Sequence, residues 1–356
     1  MTADRQVLRR DFLGLVPALA AAGALQAAAR ERRAQVGLCT FSCHQHWRAV
    51  GAKHPGVRFT DAVGFYRYAR ELGARGVQTG LRSRDPAVAR RLRAAVEESH
   101  GTYEGEVRLP KTANDLADFE REVQLTREAG ATIARAVFTG GRRYEIFKTL
   151  EEFRRFRAEA EASLALAEPV LRRHRLQVAM ENHKDFTTEE LLDLMRRFGG
   201  EWIGVLVDTG NNLALLEEPH AVVEALAPYA LSVHWKDMAV QPAPEGFLLS
   251  EVPLGTGLLV LARIAATLLR ARPGMVFNLE MATRDPLTVP CLTDGYWPTF
   301  PERRATHLAA ALERVKANPP GAPPPAVAGK PVAQILAEEE TNNRQGLAWM
   351  LQHLPV

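Results

Sequence analysis

Cysteine is scarce in this chain of 356 residues: there are three, Cys39, Cys43 and Cys291. An odd number without dense spacing excludes a disulfide-built scaffold. Cys39 and Cys43, at the end of a short apolar run, read as small fillers, because a free thiol packs like a small hydrophobe. Net charge is also small, +3, and part of it sits in an arginine-rich leader. No clustered basic face is left to mark a nucleic-acid binder. No glycine-rich phosphate turn follows the first apolar run, where a doubly wound nucleotide-binding sheet would carry one; Cys39-Thr40-Phe41-Ser42-Cys43 stands there. Asp208-Thr209-Gly210 spells an aspartic-protease loop, but that chemistry needs a pair of carboxylates from two such loops, and the chain has one. Hydrophobic residues, at 46%, are plentiful enough for a large core.

Both ends stand apart from the middle. Residues 8–13 read Leu-Arg-Arg-Asp-Phe-Leu, an uncharged apolar run extends from Phe12 to Ala29, and Arg30-Glu31-Arg32-Arg33 follows. Basic, apolar and then small residues is the layout of a secretory signal. Arg9-Arg10-Asp11-Phe12-Leu13 resembles a twin-arginine signal, which implies export of a folded protein to the periplasm. A run of this length would also serve as a membrane anchor if left uncleaved. At the other end, Asn318-Pro319-Pro320-Gly321-Ala322-Pro323-Pro324-Pro325 reads as a stiff linker, since prolines lack donors and keep the chain extended. After it, apolar residues at helical spacing predict a helix over Val332–His353, packed on the body or on a partner.

Between the ends, short apolar runs alternate with amphipathic ones. Strands are expected at 36–42, 76–81, 102–109, 132–138, 176–181, 203–208, 231–234 and 276–280. Helices are expected at 60–72, 85–98, 115–128, 150–173, 187–198, 219–226, 258–269 and 302–316. Thr60 reads as one N-cap and Thr187 with Glu190 as a capping box. Eight strand–helix pairs imply parallel strands with helical crossovers, and eight strands close a barrel. The predicted fold class is α/β, a (β/α)8 barrel with a C-terminal proline-rich linker and helix. The predicted division is a leader over 1–33, a barrel over 34–317, and linker with helix over 318–356.

In such barrels the reactive groups stand at the C-terminal strand ends. The fifth to eighth strands end in Glu181, Asp208, His234 and Glu280. A charged group ending a buried strand is costly unless paired or metal-bound, and four in succession point to one divalent ion. Three carboxylates and an imidazole are mostly hard donors, which suit Mn²⁺ first, and also Mg²⁺, Co²⁺ or Zn²⁺. Lys236 or a protonated His183 would balance the surplus negative charge. Other candidates for contact with a substrate are His44, after the first strand, Glu106 on the third, and Arg284 in the long loop after the eighth.

Met180-Glu181-Asn182-His183, Val207-Asp208-Thr209-Gly210-Asn211, His234-Trp235-Lys236-Asp237, Pro253-Leu254-Gly255-Thr256-Gly257 and Leu279-Glu280 resemble the xylose isomerase-like barrels. This superfamily of sugar isomerases and epimerases also holds endonuclease IV-type enzymes and inosose dehydratases. The resemblance covers about residues 36–316. It implies that Glu181, Asp208, His234 and Glu280 bind one metal and that Glu181 and Glu280 form the acid/base pair. Thr256 stands where the family usually has an acidic residue. The endonucleases' trinuclear site needs histidines that the ends of the second and third strands lack. The implied reaction removes a proton beside a carbonyl of a small sugar and passes through an enediolate. Isomerisation or epimerisation is the expected outcome. The alternatives are a lyase or dehydratase eliminating from a 3-keto-glycoside or inosose, and a non-catalytic sugar-binding barrel. A homo-oligomer is compatible with these readings.

Overall fold

The computed structural model describes residues 34–302 and 305–355; the predicted export leader, residues 1–33, lies outside them. Its strands are β1 (Gln35–Cys39), β2 (Gly76–Gln78), β3 (Thr102–Glu106), β4 (Ile133–Ala136), β5 (Gln177–Glu181), β6 (Ile203–Asp208), β7 (Ala230–Trp235), β8 (Asp237–Ala243), β9 (Gly246–Val252), β10 (Val276–Leu279) and β11 (Leu287–Val289). β1 to β7 and β10 are parallel and form a closed barrel, with β10 pairing to both β7 and β1. Helices fill the crossovers, as the alternating pattern predicts, and the fold is a (β/α)8 barrel.

Helix starts follow local chemistry. Thr149 with Glu152 and Thr187 with Glu190 form capping boxes, and Asp85 caps the helix that opens at Pro86. The cap near residue 60 is one place later than expected: the Asp61 carboxylate accepts the Gly64 amide at 2.7 Å, and the helix spans Ala62–Glu71. β1 is shorter than its apolar run. At Thr40 the chain turns into a 3-10 segment and then a helix over His44–Gly51.

The largest departure from expectation lies after β7. The chain does not pass straight to a helix but forms the antiparallel hairpin β8–β9, to which β11 adds. The helix that follows spans Leu261–Ala271. The predicted C-terminal helix spans Val332–His353 and packs on the barrel itself. Its Glu339 is fully buried and accepts the Gln45 and His46 amides at 2.8 and 3.0 Å. That places a carboxylate on the exposed N–H groups of a helix N-terminus, where the backbone dipole favours it. Asn343 donates to the Ser42 carbonyl, and Ser42 Oγ donates to the Leu279 carbonyl, both buried. The helix thus braces the ends of β1 and β10. Among the described residues no helix is long and apolar enough to cross a membrane.

Candidate metal centre

Strand register brings the candidate ligands together. Asp208 lies opposite His234 in the β6–β7 pairing, and Asn278 lies opposite His234 in the β10–β7 pairing. Glu280, two residues past Asn278, shares its face, because side chains repeat every second residue. Glu181 ends β5 opposite Leu206, two residues before Asp208 on β6 and so on the same face as it. One donor atom from each of Glu181, Asp208, His234 and Glu280 lies within 4.8 Å of all the others, and all four residues are buried.

The donors fit a divalent cation. Asp208 Oδ2, His234 Nδ1 and Glu280 Oε2 are buried and make no hydrogen bond of good geometry; they crowd on one another and on Lys236, and such a concentration of buried carboxylate is relieved by a cation. His234 Nδ1 lies 2.5 Å from Glu280 Oε2, 3.7 Å from Glu181 Oε2 and 3.9 Å from Asp208 Oδ2. Burial opposes a charge on His234, yet Glu280 and Glu181 outweigh it and raise its pKa to about 9. The carboxylates therefore stabilise positive charge at this point. Burial also pushes Asp208 up, to about 6, with Lys236 opposing. For Glu181 burial is outweighed by Arg135 and His234, and for Glu280 by Lys236 and His234, so both stay well below the usual carboxylate range.

The tautomer of His234 is set from inside the barrel. Gln78 Nε2 donates to Glu104 Oε2 at 2.8 Å, which turns Gln78 Oε1 towards His234 Nε2 at 2.6 Å. Ser232 and Asn278 also donate to Glu104 Oε2, at 2.6 and 2.8 Å, and fix that carboxylate. Nε2 keeps its proton and Nδ1 is the ring atom turned towards the other three residues, where a bound cation would take the place of its proton. Partners of this kind are worth about 10–100-fold in metal affinity. Gln78→Leu is expected to weaken Mn²⁺ binding by about that factor, measured by competition with a chelator; unchanged affinity would show that the ring is oriented by packing alone.

Asn182 and Asn211 hold the β5 and β6 ends. Asn182 accepts the Asp208 amide at 2.7 Å and donates to its carbonyl at 2.9 Å. Asn211 Nδ2 donates to Glu181 Oε1 at 3.0 Å. Cys39 Sγ also approaches His234 and Glu280, but burial raises its thiol well above the ordinary value, and it forms part of the wall.

The remaining candidates divide. Lys236 is buried at the centre, 2.7 Å from Asp208 Oδ2 and 3.1 Å from Glu280 Oε1, and supplies the balancing charge. His183 lies beside Glu181, but burial and then Lys184 push its pKa down to about 3, so it is neutral. Its Nδ1 has no hydrogen-bond partner. Glu106 is half-buried at the mouth, 3.9 Å from Arg135. The Arg284 guanidinium is committed to Glu251, with Nε 3.0 Å from Oε2. His44 stacks on Phe41 and its Nδ1 bonds to the Phe41 carbonyl at 3.1 Å. His46 belongs to the frame, bonded to Glu339 at 3.0 Å.

Three residues at the mouth escape the reading of strand ends. Arg135, on β4, lies with Nε 2.5 Å from Glu181 Oε2; a lone arginine inside an apolar strand was its signal. Glu251 comes from the unanticipated hairpin, on β9, and faces Arg284 and Lys236. Lys184, three residues past β5, is buried and donates to Asn211 Oδ1. A cleft of about 720 Å³ lies elsewhere, lined by Arg82, Arg84, Arg108 and Lys111 among others, and holds none of the four ligands.

Comparison with known proteins bears on this geometry. Residues 66–314 match the family described as Xylose isomerase-like TIM barrel. A curated relative, 3-oxo-isoapionate decarboxylase of Pectobacterium atrosepticum, is 34% identical over 103 residues, which is 28% of this chain. The match spans only 38% of that relative's length. Among solved structures, 3-keto-D-glucoside 4-epimerase of E. coli superposes with a TM-score of 0.52 at 14% identity, over 80% of this chain and 100% of that one. D-psicose 3-epimerase of Clostridium cellulolyticum H10 gives 0.52 at 11% identity, over 80% and 97%. At such identities these two likenesses concern the fold.

Proposed function

The chain belongs to the xylose isomerase-like TIM barrel family, and from that premise we propose that it is a metal-dependent isomerase or epimerase of a small sugar derivative. The reaction begins with removal of a proton from the carbon beside a carbonyl. The observation that carries this reading is the convergence of Glu181, Asp208, His234 and Glu280, four buried residues with one donor atom each inside a 4.8 Å cluster. A divalent ion, Mn²⁺ by our choice from the hard donor set, supplies Lewis-acid polarisation of the carbonyl, worth several kcal/mol.

The chain's own groups then have distinct parts. Glu280 takes the proton; Lys236 lies 3.1 Å from its Oε1 and His234 Nδ1 2.5 Å from its Oε2, and both fix the carboxylate at the cluster. Glu181 is held at both oxygens, by Arg135 and Asn211, which makes it the weaker base and a poor proton donor. His183, neutral and with a free Nδ1, is placed to meet a substrate hydroxyl.

The inequality of the two glutamates favours a second reading. One effective base suits elimination, in which a proton leaves one carbon, the carbon–oxygen bond on the next breaks and no proton returns to carbon. It also suits decarboxylation, in which loss of CO₂ leaves an anion that takes up one proton. That is lyase chemistry, and the decarboxylase relative supports it. A purely sugar-binding barrel would not need an intact ligand set.

The test is incubation of Mn²⁺-loaded full-length protein with ketoses and 3-keto-glycosides in D₂O. The expected result is one ion per chain and metal-dependent deuterium at the carbon beside the carbonyl, abolished by chelation. A product that has lost CO₂ or water would select the lyase, whatever its deuterium content. Neither exchange nor product, or no stoichiometric ion, would overturn the proposal.

A further inference from the structure

We propose that the substrate carries a carboxylate and that Lys184 receives it; this deepens the functional reading above and rests on it. Lys184 is 4% exposed, and a lysine is almost never so buried unless paired. Its Nζ donates to Asn211 Oδ1, and the other end of that carboxamide donates to Glu181 Oε1. One amide therefore separates the ammonium from the ligand cluster. Among the described residues, no carboxylate lies within ion-pair distance of Lys184. The other three cations at the mouth each have one: Arg135 with Glu181 at 2.5 Å, Lys236 with Asp208 at 2.7 Å, and Arg284 with Glu251 at 3.0 Å.

The charge balance points the same way. Of the carboxylates that face the cluster, Glu181, Asp208, Glu280 and Glu251 are matched by Arg135, Lys184, Lys236 and Arg284. A metal would replace the proton of His234, and Asp185 and Glu104, both buried, lie outside the cluster. A divalent ion adds two positive charges to this matched set, which Glu106 only partly offsets. A neutral ketose leaves that surplus uncompensated in a buried site, whereas a sugar acid neutralises it. Burial, and then Lys236, lower the Lys184 pKa, and a carboxylate beside it would restore its charge.

The test is titration calorimetry on Mn²⁺-loaded full-length protein with three pairs of probes: D-fructuronate and D-fructose, D-tagaturonate and D-tagatose, D-gluconate and D-glucitol. At least one acid is expected to bind about tenfold or more tightly than its neutral partner, the worth of a charge-assisted hydrogen bond. Lys184→Met should reduce that ratio to near one with Mn²⁺ stoichiometry unchanged, and Lys184→Arg should retain part of it. Wild-type protein that prefers no acid, or a preference that survives in Lys184→Met, overturns the proposal. If Lys184→Met fails to hold Mn²⁺, the wild-type ratio and its retention in Lys184→Arg decide. Deuterium exchange followed in the same samples separates the two readings. Acid preference without exchange defeats the proton-abstraction reading alone, and exchange without acid preference defeats this inference alone.

Discussion

Glu280→Gln is expected to lower turnover of the metal-saturated protein by about 10²–10⁴-fold, the usual worth of a general base. Glutamine has nearly the same shape and keeps one oxygen that can coordinate, so the loss should persist with excess Mn²⁺. Asp208→Asn is the contrast. Asp208 Oδ1 accepts the Gly210 and Asn211 amides, both at 2.9 Å, and Oδ2 faces the cluster; its defect should be one of affinity, largely restored by added metal. Glu181→Gln distinguishes one base from two. If Glu280 works alone, Glu181→Gln should lose at least tenfold less than Glu280→Gln at saturating Mn²⁺, the equivalent of about 1.4 kcal/mol. Equal losses, with solvent exchange surviving in one variant, would identify an epimerase that uses both faces. Full rescue of Glu280→Gln by metal would remove the base assignment, and His183 and Lys236 would be the next groups to examine.

The ligands were legible in the sequence because each sits where an apolar run meets one polar residue, and barrel architecture assigns that point to the active face. Strand ends and the family resemblance suffice to pick out Glu181, Asp208, His234 and Glu280 as candidates. Their supports are harder to read. Gln78 and Glu104 belong to strands whose inward faces are polar, and neither shows its partner, since the Gln78–Glu104–Ser232–Asn278 network joins residues far apart along the chain. Glu251 was hidden because the chain after β7 forms an antiparallel hairpin, while the surrounding pattern predicts a crossover helix. Lys184 and Glu339 look like ordinary surface charges at loop and helix positions. Glu339 is buried where the C-terminal helix packs on the helix that starts at His44, and Lys184 where the loops after β5 and β6 meet. Local periodicity therefore carries the fold and the ligand set, and the charge environment that decides the chemistry is a tertiary property.

Asp237→Ala should cost about 3–5 kcal/mol of stability, a large effect for a residue that touches no ligand. The Asp237 carboxylate is 1% exposed and accepts four backbone N–H groups. Oδ1 takes Met238 at 2.9 Å and Leu259 at 3.2 Å, and Oδ2 takes Gly255 and Gly257, both at 2.9 Å. The loop from Pro253 to Leu259 is thus wrapped on one side chain. Its glycines are required: Gly255 has φ of +83°, and a Cβ on Gly257 would lie 2.2 Å from Asp237 Oδ1. Alanine leaves four donors at least partly buried without an acceptor, each worth about 1–3 kcal/mol if water does not replace the carboxylate. Asparagine keeps one acceptor but turns an NH₂ towards two N–H donors, and should lose nearly as much. Thr256→Ala is the control. Its exposed Oγ1 bonds only the Pro253 carbonyl, at 2.7 Å, and the loss should stay under about 1 kcal/mol. Urea denaturation at fixed Mn²⁺ measures all three. An Asp237→Ala variant as stable as Thr256→Ala would mean that the turn holds itself. Because Lys236 precedes Asp237 in the chain, the same variant should also weaken the Lys236 contacts to Asp208 and Glu280, and its turnover should fall even at temperatures where it remains folded.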